Sequence, residues 1–186
     1  MKKIMLSSIL AFSFFSGCQS ATQKHAKVID SAVKGLEVQC AGMVHYTAAD
    51  GSISCLHLPL AFKLGEIKLG MLYDIPKDGI ILPQDIVGAQ RDNLTNKNVI
   101  KLLVLLQSLD ADHNPENGIT INKTTRDKLN TFIDLKKISL VDLKDLVDAQ
   151  LGETKFKDKK TAIRHLEHSM KQYNISYPNV DLEGIE

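Results

Sequence analysis

Apolar and polar positions change their period along this chain, and each change marks a boundary. From Val33 to Ile75 the apolar residues come in short alternating runs divided by turn residues, the pattern of half-buried strands. Val33, Leu36, Val38 and Cys40 form the first run; Val44–Thr47, Ile53–Leu58, Leu60–Leu64 and Ile67–Gly70 follow. Asp50-Gly51 supplies the positive φ of a hairpin turn, and Pro59 points to an edge or a bulge. A small antiparallel sheet or sandwich is expected over 31–75.

Pro76, Gly79 and Pro83 then punctuate a connector, and Pro83–Val87 has the proline and early acid of a short helix. Beyond it the period lengthens. Thr95 or Asn96 caps a helix up to Leu109 whose Val99, Leu102, Leu103, Leu105, Leu106 and Leu109 cover more than one face, as in a central helix buried on most sides. A second helix is expected from Asn122 or Thr124 with Leu129, Phe132 and Ile133. A third follows Ser139, whose spacing to Asp142 resembles a capping box, and stops at Gly152. A fourth opens at Asp158 or Thr161 and carries Ala162, Ile163, Leu166, Met170 and Tyr173 along one stripe. The fold class is therefore α+β: the sheet, a bundle of about four helices over 76–176, and a loose tail over 177–186.

The N-terminus lies outside that pattern. Met1-Lys2-Lys3 is basic, and Ile4–Phe15 is mostly apolar but too short for a comfortable membrane span. Phe15-Ser16-Gly17-Cys18 resembles the bacterial lipobox, in which the cysteine is acylated and becomes the new N-terminus. The resemblance implies a signal peptide over 1–17, acyl chains such as palmitate on Cys18, and anchoring in the membrane. With Gln19 and Ser20 rather than Asp after the cysteine, it implies the outer membrane. An ordinary secretory signal with an incidental cysteine is the alternative. Residues 18–30 are polar without an apolar period and are expected to be a flexible tether.

Charge excludes one class of partner. Lys+Arg 23 against Asp+Glu 22, without Trp, offers neither the field nor the stacking surfaces of a nucleic-acid binder. Once Cys18 is acylated, Cys40 and Cys55 remain as an even pair in an oxidising compartment, where a disulfide is expected. Two free thiols, or a metal site completed by His45 and His57, are the alternatives.

The chemistry concentrates in Leu105–Ile121. Asp110, Asp112 and Asn114 stand at alternate positions with Asn117 beyond, as in the first half of an EF-hand loop, and hard oxygens suit Ca²⁺. The expected Gly at the sixth position and a closing Glu are missing. The competing reading is a helix stop whose side chains bond their own backbone. His165 and His168, three apart, face one side of a helix, where a solvated face is the simpler account than a metal lacking a third ligand. No nucleophile elbow and no Gly-rich phosphate loop occur, and the serines fall in the signal, turns and caps, so no enzymatic activity is expected.

The order of these features resembles a module of bacterial surface lipoproteins and adhesin-like secreted proteins. Gly35-Leu36 to Cys40, Asp50-Gly51 to Cys55, Phe62–Gly65, Leu69-Gly70, Pro83–Gly88, Leu106–Ile119 and Ala162–Leu166 carry the likeness. It spans about Val33 to Met170 and is most specific at Leu109-Asp110-Ala111-Asp112. It implies location and a β-plus-helical build, with no assigned catalysis. His113 and His45 depart from it, standing where Gly is usual. The expected function is a lipid-anchored, non-catalytic envelope module that binds a protein or envelope partner. A periplasm-facing hydrolase, or an accessory subunit of one, is the alternative.

Overall fold

The computed structural model describes residues 25–55 and 57–185. Cys18, the signal peptide and the first part of the expected tether lie outside the described residues. The strands are β1 His25–Val28, β2 Val33–Lys34, β3 Glu37–Cys40, β4 Met43–Tyr46, β5 Ser52–Ser54, β6 Leu60–Leu64, β7 Ile67–Leu72, β8 Ile80–Ile81, β9 Ile119–Thr120 and β10 Ile133–Asp134. The helices are α1 Pro83–Val87, α2 Lys97–Ser108, α3 Lys123–Lys128, α4 Leu140–Leu151 and α5 Lys159–Gln172. The α+β class holds.

The principal sheet has the order β10-β7-β6-β3-β4, and a smaller one the order β5-β1-β8. Antiparallel pairs dominate the first, where β6 shows the expected alternation: Leu60, Phe62 and Leu64 are buried between half-buried Ala61 and Lys63. Helix α1 packs on β7 so closely that a Cβ at Gly70 would sit 1.8 Å from the Ile86 carbonyl oxygen, so only glycine fits there. Helix α2 packs between α1 and α5 and is buried without a break from Val99 to Ser108, as its many-sided leucine pattern requires. Its Lys101 keeps its charge satisfied inside by donating from Nζ to the Leu135 and Ile138 carbonyls.

Several expectations are corrected. The tether is shorter than the sequence suggests: β1 holds Ala26 and Val28 in the core, and Ile29 and Asp30 beyond it are fully buried. Four residues are too few to display a period, and their burial comes from partners far along the chain. The division into a β part and a helical part also fails. Strands β8, β9 and β10, two residues each, leave the helical half to pair in parallel with β1, β2 and β7, so one core serves both halves. The run Val33–Cys40 is two strands, broken at Gly35, whose φ of 80° turns the chain. The Asp50-Gly51 turn does not close a hairpin: β4 pairs with β3, while β5 pairs with β1 in the other sheet.

The helix expected through Ile133 stops at Lys128. There the Leu129 carbonyl accepts the Glu66 N–H, and Ile133 is drawn into β10 beside Ile67, leaving Phe132 71% exposed. The tail is less loose than expected, since Tyr177, Val180, Leu182 and Ile185 pack partly on the core. The helix starts were readable. Asn96, Ser139 and Asp158 each accept a backbone N–H from the first turn of their helix.

Cys40 and Cys55 form a disulfide with Cα atoms 6.5 Å apart. Because β3 and β5 belong to different sheets, the bond joins the two sheets. Both alternatives for these cysteines, free thiols and a metal site with His45 and His57, are thereby excluded.

Candidate functional site

Helix α2 ends at the acidic loop, and the chain returns through β9 against β2. Two bonds close the return: Asp110 Oδ1 accepts the Thr120 N–H at 2.8 Å, and the Ala111 N–H donates to the Thr120 carbonyl at 3.0 Å. Asp112 folds the tip. Its Oδ1 accepts the Asn114 N–H at 3.0 Å and its Oδ2 accepts from Asn117 Nδ2 at 2.9 Å. His113 adopts a φ of 60°, the left-handed conformation for which glycine is the usual residue. A single turn of 3-10 helix, Pro115–Asn117, leads out of the loop.

Asp110 is 2% exposed, and its Oδ2 has no hydrogen-bond partner among the described residues. Burial pushes its carboxyl up, helped by its close approach to Asp112, while the Thr120 N–H pulls it down. Asp112 moves the other way, held low first by its bond from Asn117. The loop thus gathers two acids with one buried oxygen unsatisfied, beside the negative end of a twelve-residue helix. Among the described residues no three His, Cys, Asp or Glu side chains group as a metal site. What the loop offers a cation is two carboxylates together with the amide oxygens of Asn114 and Asn117. Asn117 would have to turn its amide, since its nitrogen now faces Asp112.

A second cluster, not expected from the sequence, lies beside the loop. The turn Ile29–Ala32 carries Asp30, fully buried, and Ser31, whose φ is 55°. Gln107 of α2 donates to both Asp30 oxygens, at 3.0 and 3.3 Å, and to the Ala162 carbonyl at 3.0 Å. Burial nonetheless raises the Asp30 carboxyl to a pKa of about 6, against the pull of His165 and of the Gln107 bond. Ser169 Oγ accepts the Ser31 N–H at 2.9 Å. Ser31 Oγ lies 3.1 Å from His165 Nε2, and His165 Nδ1 lies 2.9 Å from Glu116 Oε1. That contact is the main reason the Glu116 carboxyl is held low.

His165 is therefore not on a solvated face: it is 4% exposed, and only His168 faces outward, with its Nε2 bonded to Gln172 and 3.9 Å from Glu116 Oε2. His45 and His57 take part in no ion pair among the described residues.

No family model, no curated protein and no solved structure matches this chain. What the site can do must follow from its geometry.

Ser31, His165 and Glu116 stand in the sequence hydroxyl, imidazole, carboxylate that activates a nucleophile in serine hydrolases. Access runs the wrong way for that chemistry. The carboxylate is the exposed member, at 60%, while Ser31 is buried. A cleft of about 470 Å³ reaches Glu116, His165 and His168, but Ser31 is not in its lining. The Ser31 N–H, already given to Ser169, is not free to stabilise an oxyanion. The arrangement joins three distant segments, the Ile29–Ala32 turn, the acidic loop and α5, behind the loop.

The sequence held one signal for this cluster. Gln107-Ser108 interrupts a leucine run on a helix expected to be covered on most sides, so their polar groups needed buried partners. Ser108 found them in the Val104 carbonyl and the Lys157 N–H.

Proposed function

We propose that this chain is a lipid-anchored protein of the bacterial outer membrane whose domain binds a partner without transforming it, and whose Asp110–Asn117 loop is held by Ca²⁺. The observation that carries the calcium reading is the buried, unpartnered Oδ2 of Asp110 beside Asp112. A buried carboxylate oxygen that accepts no N–H, close to a second carboxylate, is costly to ionise, and a hard cation ligated by both carboxylates offsets that cost. Ca²⁺ is expected to raise the melting temperature relative to chelator, and Asp110→Ala with Asp112→Ala to abolish the difference. Millimolar ion suffices to reveal a weak site, since stabilisation follows RT ln(1+[L]/Kd). Identical melts of the parent protein in calcium and chelator would leave the loop as a helix stop.

Two further features support this reading, one the binding role and one the anchor. Strand β4 ends the principal sheet, and its Met43, Val44 and Tyr46 are 60%, 55% and 53% exposed, an apolar edge of the kind that accepts a partner. The lipobox-like Ser16-Gly17-Cys18 supports the anchor; Cys18→Ala is expected to abolish acyl labelling, and retained labelling would refute it. No helix among the described residues is long and apolar enough to cross a membrane.

The Ser31-His165-Glu116 line favours a second reading, a hydrolase that opens this turn to its substrate. A fluorophosphonate probe separates the two. The binding module leaves Ser31 unlabelled, and covalent labelling at Ser31 would replace it with the hydrolase.

A further inference from the structure

A cavity of about 600 Å³ lies at the opposite end of α2 from the acidic loop. Lys97, Lys101, Lys136, Lys137 and Lys159 all line it, and among the described residues no carboxylate does. Five cations thus gather around one concavity. Among the described residues Lys97, Lys136 and Lys137 enter no ion pair. Lys97 is near enough to disfavour the charge on Lys101, second only to burial in that effect. Two acids beside the lining have partners of their own: Asp142 accepts from Ser139 Oγ at 2.7 Å and Asp158 caps α5. Asp134 opposes the depression of Lys101 without lining the cavity.

The backbone adds to this field. Lys97 and Lys159 are the first residues of α2 and α5, and Ser139 caps α4, so three helices of 12, 14 and 12 residues begin at one cavity. The positive ends of their dipoles lie at the same cavity as the ammonium groups; that of α2 has no acid in its first turn, whereas α4 carries Asp142 there and α5 is capped by Asp158. Lys101, pinned by the Leu135 and Ile138 carbonyls, gives the wall a fixed charge, whereas the exposed Lys97, Lys136 and Lys137 can close over a guest. Ile100, Ile138 and Ile185 supply an apolar surface beside them.

We infer that this cavity is a binding site for a phosphate ester whose organic part is partly apolar. Several point charges arranged around a concavity suit a multiply charged tetrahedral anion, and the volume lies in the range of small-ligand sites. The isoleucines give an apolar portion somewhere to lie. A membrane lipid headgroup and a soluble phosphate ester share this chemistry.

The test uses pyrophosphate as probe, the full chain in mild detergent, and equilibrium dialysis at low salt. Saturable binding is expected, weakening as salt rises. Lys97→Gln with Lys137→Gln, both exposed and outside the core, should weaken it about five- to tenfold without lowering the melting temperature of the ligand-free protein. Lys34→Gln with Lys171→Gln removes the same charge away from the cavity and should leave binding unchanged. Absence of saturable binding, or equal weakening by the two pairs, would overturn the inference. Displacement of pyrophosphate by short-chain phosphatidylglycerol but not phosphatidylcholine would identify the lipid source; displacement by glycerol phosphate alone would identify the soluble one.

Discussion

Reducing the Cys40–Cys55 bond, or replacing both cysteines with alanine, is expected to cost about 3 kcal/mol of stability, the chain-entropy value for a loop near this length. The residues are 15 apart in sequence. The structure gives the bond more to hold than a hairpin. Cys40 ends β3 of the principal sheet, and Cys55 follows β5, an outer strand of the smaller one. Strand β5 has three residues and one sheet neighbour, β1, so few other interactions tie it down. Urea denaturation with and without reductant measures the effect. A loss confined to a few tenths of a kcal/mol would mean that the two sheets are already locked by the shared core.

Asp30→Asn is expected to stabilise the protein near pH 8 by roughly 3 kcal/mol and to flatten part of its pH dependence. The folded-state pKa of Asp30 is raised from 3.8 to about 6, so the folded state binds its proton more tightly than the unfolded chain does. Its stabilising contribution is complete below about pH 4 and is lost as pH rises through 6. His165 lowers its pKa and Glu116 raises it. An asparagine removes the titration and keeps an acceptor for Gln107 Nε2. The Oε1 of the same Gln107 amide is buried and unpartnered, an acceptor that a rotated asparagine amide could use. The parent and the variant should have similar stability at pH 4 and diverge upward. Parallel stability curves from pH 4 to 8 would show that Asp30 does not titrate in this range.

Local signals were the legible part of this molecule. The caps at Asn96, Ser139 and Asp158, the alternation of β6 and the many-sided leucines of α2 are short-range consequences of side-chain chemistry, and each reads directly from neighbouring residues. The pairings of β8, β9 and β10 do not. Two residues carry no period, and their partners lie about fifty to ninety positions away, so only the assembled core selects them. The Asp50-Gly51 turn was recognisable as a turn, yet nothing local says that its two strands enter different sheets.

The candidate site divides in the same way. Asp110, Asp112, Asn114 and Asn117 stand together in sequence and remain together in space. Ser31 and His165 are 134 positions apart and meet only because α5 packs along α2. Reading His165 as solvated followed from pairing it with His168, three residues on; the helix in fact turns the first inward and leaves the second outside.

The central claim is that the loop between α2 and β9 is a calcium site built around the unpartnered Oδ2 of Asp110. Titration of ¹⁵N-labelled protein with Ca²⁺, followed at the backbone amides, tests it most directly. The Thr120 N–H, bonded to the other oxygen of Asp110, and the Asn114 N–H, bonded to Asp112, should shift saturably together, while amides of the principal sheet stay in place. Resonances of Asp110 to Thr120 that remain unmoved at millimolar calcium would contradict the account.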